Sequence, residues 1–116
     1  MSTMPILQLL ERYLTLTSDR NQVIISNMSN VDTPGYHTRD IDFQAELRRL
    51  MNASTTVQSS PALKTVSGLI ERPDGNNVNL DREGMLLAET QLQYQLGVQL
   101  VKTEFHRLLT AINEGK

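Results

Sequence analysis

The sequence contains no cysteine. Disulfides, thiolate zinc sites and cysteine nucleophiles are therefore excluded, and nothing covalent opposes unfolding of the chain. Aromatic residues are scarce at 4%: Tyr13, Tyr36, Phe43, Tyr94 and Phe105. Apolar residues make up 39%, against roughly 45–50% in an ordinary globule. A chain of 116 residues with so little bulk to bury is either elongated or completes its core with a partner. No apolar run approaches the ~18 residues of a membrane-spanning helix. The first fourteen residues, MSTMPILQLLERYL, lack the basic region and small-residue cleavage site of a secretory leader. Any route out of the cytoplasm is expected to use no cleaved signal. Like charges form no block, and eleven cations against thirteen anions leave −2. Neither nucleic acid nor an anionic membrane is an expected partner.

Residues for chemistry are as scarce. His37 and His106 have no histidine or carboxylate at a recognised metal-ligand spacing, so they read as solvated or packing side chains. Asp40 and Asp42 read as turn and helix-capping residues, not as an acid/base pair. The stretch Asp74-Gly75-Asn76-Asn77-Val78-Asn79-Leu80-Asp81 has an acidic look. It lacks the spacing and closing glutamate of an EF-hand and reads as a turn leading to a helix cap. There is no glycine-rich phosphate loop and no Ser/His/Asp arrangement. No catalytic, cofactor-binding or metal-binding residue is expected, and the chain is not expected to be an enzyme.

The pattern predicts a mainly α fold with one inner domain formed from both ends of the chain. Residues 1–30 carry the first helix, over 5–30. Pro5 suits the first helical position. Ile6, Leu9, Leu10, Tyr13, Leu16, Val23, Ile24 and Met28 recur mostly in steps of three and four. The stripe weakens from Thr17 to Asn21, where a bend or a wetter stretch is expected. Residues 31–80 form an irregular middle, with turns at Asp32-Thr33-Pro34-Gly35 and Pro73-Asp74-Gly75. A short helix is expected over Phe43–Met51, a flexible loop over Asn52–Ser60 and an extended piece within Leu63–Glu71. Residues 81–116 carry the second long helix, with Asp81 as N-cap. In it Tyr94, Val98, Val101, Phe105, Leu108 and Ile112 step by 4, 3, 4, 3 and 4, an a/d seam. The seam is expected to pair with the first helix as an antiparallel coiled coil. Met85, Leu92 and Leu96 lie on another face and are expected to meet neighbouring subunits.

The segment Asn27-Met28-Ser29-Asn30-Val31-Asp32-Thr33-Pro34-Gly35-Tyr36 resembles the Asn-x-x-Asn-x-Asp-Thr-Pro-Gly-Tyr signature of the flagellar rod and hook protein family. Asp40-Ile41-Asp42-Phe43 and the stretch from Asp74 to Ile112, including Gln93-Tyr94-Gln95, resemble the family's proximal-rod branch. The family often has aspartate where Asn79 stands, and this chain is short in its middle. The resemblance implies a structural subunit exported through the flagellar type III apparatus and located in the periplasmic rod of the basal body. It implies helical self-association, with the adaptor FliE, the rod protein FlgC and the export gate or membrane ring as neighbours, and transmission of torque. Two other readings are a FlgC-like axial protein and a helical adaptor or chaperone of a type III secretion system. Asp40-Ile41-Asp42-Phe43 argues against the first; a chaperone would be expected to fold alone as a stable dimer.

Overall fold

The computed structural model describes residues 5–52 and 60–115. The expected flexible loop over Asn52–Ser60 lies, apart from its two end residues, outside the described residues. The chain is mainly α and elongated, 69 × 28 × 18 Å. Its elements are α1 (Ile6–Ser29), β1 (Arg39–Ile41), α2 (Phe43–Asn52), β2 (Leu63–Thr65) and α3 (Leu80–Glu114).

The helices α1 and α3 pack antiparallel. Asn27 meets Glu83, Asn21 meets Thr90, and Leu14 and Tyr13 meet Gly97. Numbers fall along α1 as they rise along α3. On α1 the buried line runs through Leu10, Thr17 and Ile24, each seven residues from the last, with Leu16 and Asn27 beside it. On α3 the buried residues are Glu83, Thr90 and Gly97, again seven apart. Matching seven-residue steps are the period of a paired helical seam, but the α3 side is built from small and polar residues.

Small residues permit close approach. A Cβ on Gly97 would stand 2.6 Å from Leu14 Cδ2 and 3.2 Å from the Tyr13 ring. The other edge of the Tyr13 ring system is occupied by Phe43, edge to face, with centroids 5.6 Å apart at 88°. Tyr13 thus lies between α3 and α2. Arg12 Nη1 adds a second tie by donating to Leu50 O at 2.8 Å in the last turn of α2, where carbonyls lack intrahelical partners.

The elements differ from the sequence expectation in several places. Pro5 precedes α1 instead of opening it, with ψ of 142°. The Thr17–Asn21 stretch carries no bend and α1 runs unbroken. There Thr17 is buried and its hydroxyl returns to Tyr13 O at 2.8 Å. Asn79, and not Asp81, caps α3: its side chain accepts from Arg82 N at 3.1 Å. Asp81 and Glu83 lie in the first turn, where negative charge suits the helix dipole. The expected extended piece narrows to β2, which pairs antiparallel with β1: Arg39 faces Thr65, Asp40 faces Lys64 and Ile41 faces Leu63.

Candidate functional site: a two-turn clasp and the outer faces of the long helices

The signature closes α1 and then folds back onto it. Asn30 occupies the C-cap, and its Nδ2 donates to Ser26 O at 2.8 Å. Thr33 Oγ1 donates to Asn30 Oδ1 at 3.0 Å. Asp32 and Pro34 are exposed. Gly35 has φ +75°, in the left-handed region where a side chain is strained. The second turn, Arg72 to Asn77, lies directly against the first. Gly35 N donates to Asp74 O at 2.9 Å, and Asn77 N to Tyr36 O at 3.2 Å. Gly75, at φ +87°, comes so near that a Cβ on it would sit 3.2 Å from Gly35 Cα. The fully buried Asn76 donates from Nδ2 to Asn30 O and Thr33 O, both at 2.8 Å. Its Oδ1 accepts from Val78 N at 2.8 Å. Asn77 Oδ1 accepts from Thr38 N at 2.7 Å. Arg72 reaches both Val31 O and Val78 O.

Asn27 ties this clasp to both long helices. It is fully buried, and its amide offers two donors and two acceptor positions. Nδ2 donates to Arg39 O at 2.7 Å and to Glu83 Oε1 at 2.6 Å. Oδ1 accepts from Tyr36 Oη at 2.9 Å and from Arg39 N at 3.1 Å. The amide therefore stands where a further strand would pair with β1 and at the same time holds the first turn of α3. Glu83, also fully buried, has its other oxygen bonded by Arg82. Arg82 approaches Asp40 at 3.8 Å, and Asp40 takes Nε and Nη2 of Arg20 at 3.1 Å each. That two-point hydrogen bond raises the Arg20 guanidinium pKa, against the lowering effect of partial burial. Asp42 caps α2, accepting from Ala45 N at 3.2 Å.

Of the residues that the sequence singled out, Asn27, Asn30, Thr33, Gly35 and Tyr36 lie in the clasp, with Asp32 and Pro34 exposed beside it; Asp40 joins it through Arg82, while Asp42 caps α2 and Phe43 packs on Tyr13, away from it. Glu83, Thr38, Arg20, Arg72 and Gly97 were missed as site residues, and Asn76 and Asn77 were read only as part of a turn leading to a helix cap. The asparagines from Asn76 to Asn79 were a usable signal, since a turn rarely needs three. Among the described residues no cluster of histidine and carboxylate side chains is suited to a metal ion. None of the described helices is long and apolar enough to cross a membrane.

The large apolar residues of α3 are mostly on the outside. Val98 and Val101 are half-buried, while Tyr94, Phe105 (55% exposed), Leu108 and Ile112 (60%) are open. Met85, Leu92 and Leu96 are 75%, 68% and 57% exposed. The close approach at Gly97 rotates α3 so that its small residues, and not the six-residue seam, are the ones α1 covers fully. Beside Tyr94 lies a groove of about 500 Å³, walled by Leu7, Leu14 and Val101 and edged by Glu11 and Asp19. Partial burial there raises the Asp19 carboxyl pKa, and burial likewise raises the phenol of Tyr13.

No protein-family model matches the chain. Curated proteins do. The flagellar basal body rod protein FlgB of Salmonella typhimurium is 30% identical, with 88% of each chain covered. That of Escherichia coli K12 is also 30% identical over the same shares. The FlgB of Cereibacter sphaeroides is 37% identical, covering 85% of this chain and 87% of its own. Likeness at this level along nearly the whole length, with the signature asparagines and glycine set in one clasp, shows that the chain belongs to the FlgB family of flagellar basal body rod proteins.

Proposed function

We propose that this chain, a structural subunit of the flagellar basal body rod, assembles helically with copies of itself at the base of the rod. FliE, FlgC and the export gate or membrane ring are its neighbours in this reading, and it reaches the rod through the type III export apparatus without a cleaved signal. In this reading it catalyses nothing: buried Asn27, Thr38, Asn76, Asn77 and Glu83 are committed to bonds in and around the clasp. The observation that carries the reading is the outward placement of Met85, Leu92 and Leu96 along α3. Contiguous apolar surface on a protein marks an interaction site. The clasp supplies the second requirement of a torque-bearing subunit, a fixed angle between the helix pair and the middle segment.

The test is fractionation of cells carrying Leu96→Asp. Burying an unpaired carboxylate at an interface is expensive. The variant is expected to be secreted normally but to be missing from purified basal bodies. Normal incorporation would mean that this face of α3 meets no neighbour.

A further inference from the structure

Asp74-Gly75 is the only aspartate–glycine pair in the sequence, and no asparagine precedes a glycine. The glycine amide nitrogen of such a pair can attack the aspartate Cγ; water leaves, and a five-membered succinimide ring forms. Glycine puts no side chain in the way of the attack. Water then opens the ring at either carbonyl. One opening returns aspartate; the other gives isoaspartate, whose main chain runs through the former side chain and is one methylene longer. Overall no atom is gained or lost, and no oxidant or cofactor is needed. Asp74 is exposed, so water reaches it.

In the folded chain every group that ring closure must move is already bonded. Asp74 O accepts from Gly35 N at 2.9 Å, and Gly75 N donates to Arg72 O at 2.8 Å. The reacting carboxyl is held too: Asp74 Oδ1 accepts from Asn76 N at 3.0 Å. Closure turns the 74–75 peptide and takes the proton from Gly75 N, so it breaks the first two bonds. The Asn76 side chain anchors the turn from beneath, through Asn30 O and Thr33 O. The product meets a second obstacle. Its extra methylene enters the main chain next to Gly75, where even a Cβ would stand 3.2 Å from Gly35 Cα and 3.5 Å from Gly35 N. We infer that Asp74-Gly75 is a site of spontaneous isomerisation shielded by the closed clasp, and that a chain isomerised while open cannot close the clasp again. The modification therefore marks chains that have stayed unfolded, whichever neighbours the folded subunit meets.

The test incubates the purified full chain at neutral pH, folded and in urea. Isoaspartate is read in the tryptic peptide 65–82 as a species of unchanged mass and shifted elution. A reaction that needs an open state is slowed by the opening equilibrium, so the folded chain should isomerise at least about tenfold more slowly than the unfolded one. The slowing should agree within about threefold with that of hydrogen exchange at the Gly35 amide, whose bond to Asp74 O must break for either event. Asn76→Ala removes three bonds of the clasp and should raise the folded rate by about tenfold or more, leaving the rate in urea unchanged. Isoaspartyl chain recovered from urea and returned to native buffer should exchange its Gly35 and Asn77 amides without protection. The shield is overturned if folded and unfolded chains isomerise equally fast while the Gly35 amide is protected, or if folded Asn76→Ala reacts no faster than the parent. Should Asn76→Ala not fold, the agreement between isomerisation and Gly35 exchange in the parent still decides. The block on closure is overturned if the isoaspartyl chain regains parent-like protection, and the site itself if no isoaspartate forms at Asp74 in urea.

Discussion

The side chain of Asn27 holds together three segments that are otherwise joined by few bonds. Each half of its amide does two jobs: the NH₂ group serves Arg39 O and Glu83 Oε1, the oxygen serves Tyr36 Oη and Arg39 N. Aspartate has nearly the same shape but donates nothing and adds a negative charge beside Glu83. Asn27→Asp is expected to cost about 3 kcal/mol or more, the scale of an uncompensated buried charge. Glu83→Gln in the same chain should recover part of the loss by supplying a donor. Urea unfolding of the two variants against the parent measures both terms; a parent-like midpoint for Asn27→Asp would show that the amide is dispensable. Asp19 behaves in the opposite sense. Its folded-state pKa is raised by burial, so between the unfolded value of about 3.9 and the folded value the native chain holds more protons than the unfolded one. Stability therefore falls as pH rises through that window and stays lower at neutral pH. Asp19→Asn should raise the melting temperature of the isolated subunit at pH 7 and leave it nearly unchanged below about pH 4.

At the level of elements, the crossing of α1 and α3 is decided by Gly97. Alanine there would gain about 0.5–1 kcal/mol in helix propensity. Against it, a Cβ would meet Leu14 Cδ2 at 2.6 Å and the Tyr13 ring at 3.2 Å. The Leu14 methyl can move toward the groove it lines. Tyr13 cannot, because Phe43 stands against it. Overpacking of about 1–3 kcal/mol should win, and Gly97→Leu should melt lower than Gly97→Ala. If Gly97→Ala melts higher than the parent, the approach is looser than the geometry shows. This crossing also explains what the sequence made legible. Two long helices followed from three- and four-residue steps, the turns from Pro34-Gly35 and Pro73-Asp74-Gly75, and the capping role of Asp42 from its place before Phe43. The seam was harder because pattern reading weights large apolar residues. Here the fully covered line is Glu83, Thr90 and Gly97, which no hydrophobic count selects. Strand β1 was hidden for a related reason: three residues form it, and one of its edges is bonded by a side chain, Asn27, from 12 positions away. The clasp partners Asn76 and Asn77 lay more than 40 residues from the signature they bind, a distance across which local pattern carries no information.

Across the whole molecule, order is concentrated at one end. The clasp, the Asn27–Glu83 contact, the Arg20–Asp40 pair and buried Ile24, Ile41 and Val78 all lie where α1 ends and α3 begins. Towards the other end cover thins. Leu10 is the last buried apolar residue on that half of α1, and beyond Val101 only Glu104 in α3 is better than exposed. A bare helical segment of about ten residues is marginal in water because nucleation is costly and packing supplies most helical stability. Local stability should therefore fall along the long axis, from near the global value at the clasp to almost none at the α3 tail. In the isolated subunit, amide hydrogen exchange is expected to be slowest in residues 24–41 and 72–90 and fastest in 102–115. In the assembled rod the tail should become protected while the clasp changes little, since the clasp's bonds are complete within one chain. Equal protection along α3 in the isolated subunit would contradict this. It would mean that the helix is held by its own chain to its end, and that assembly adds contacts without adding order.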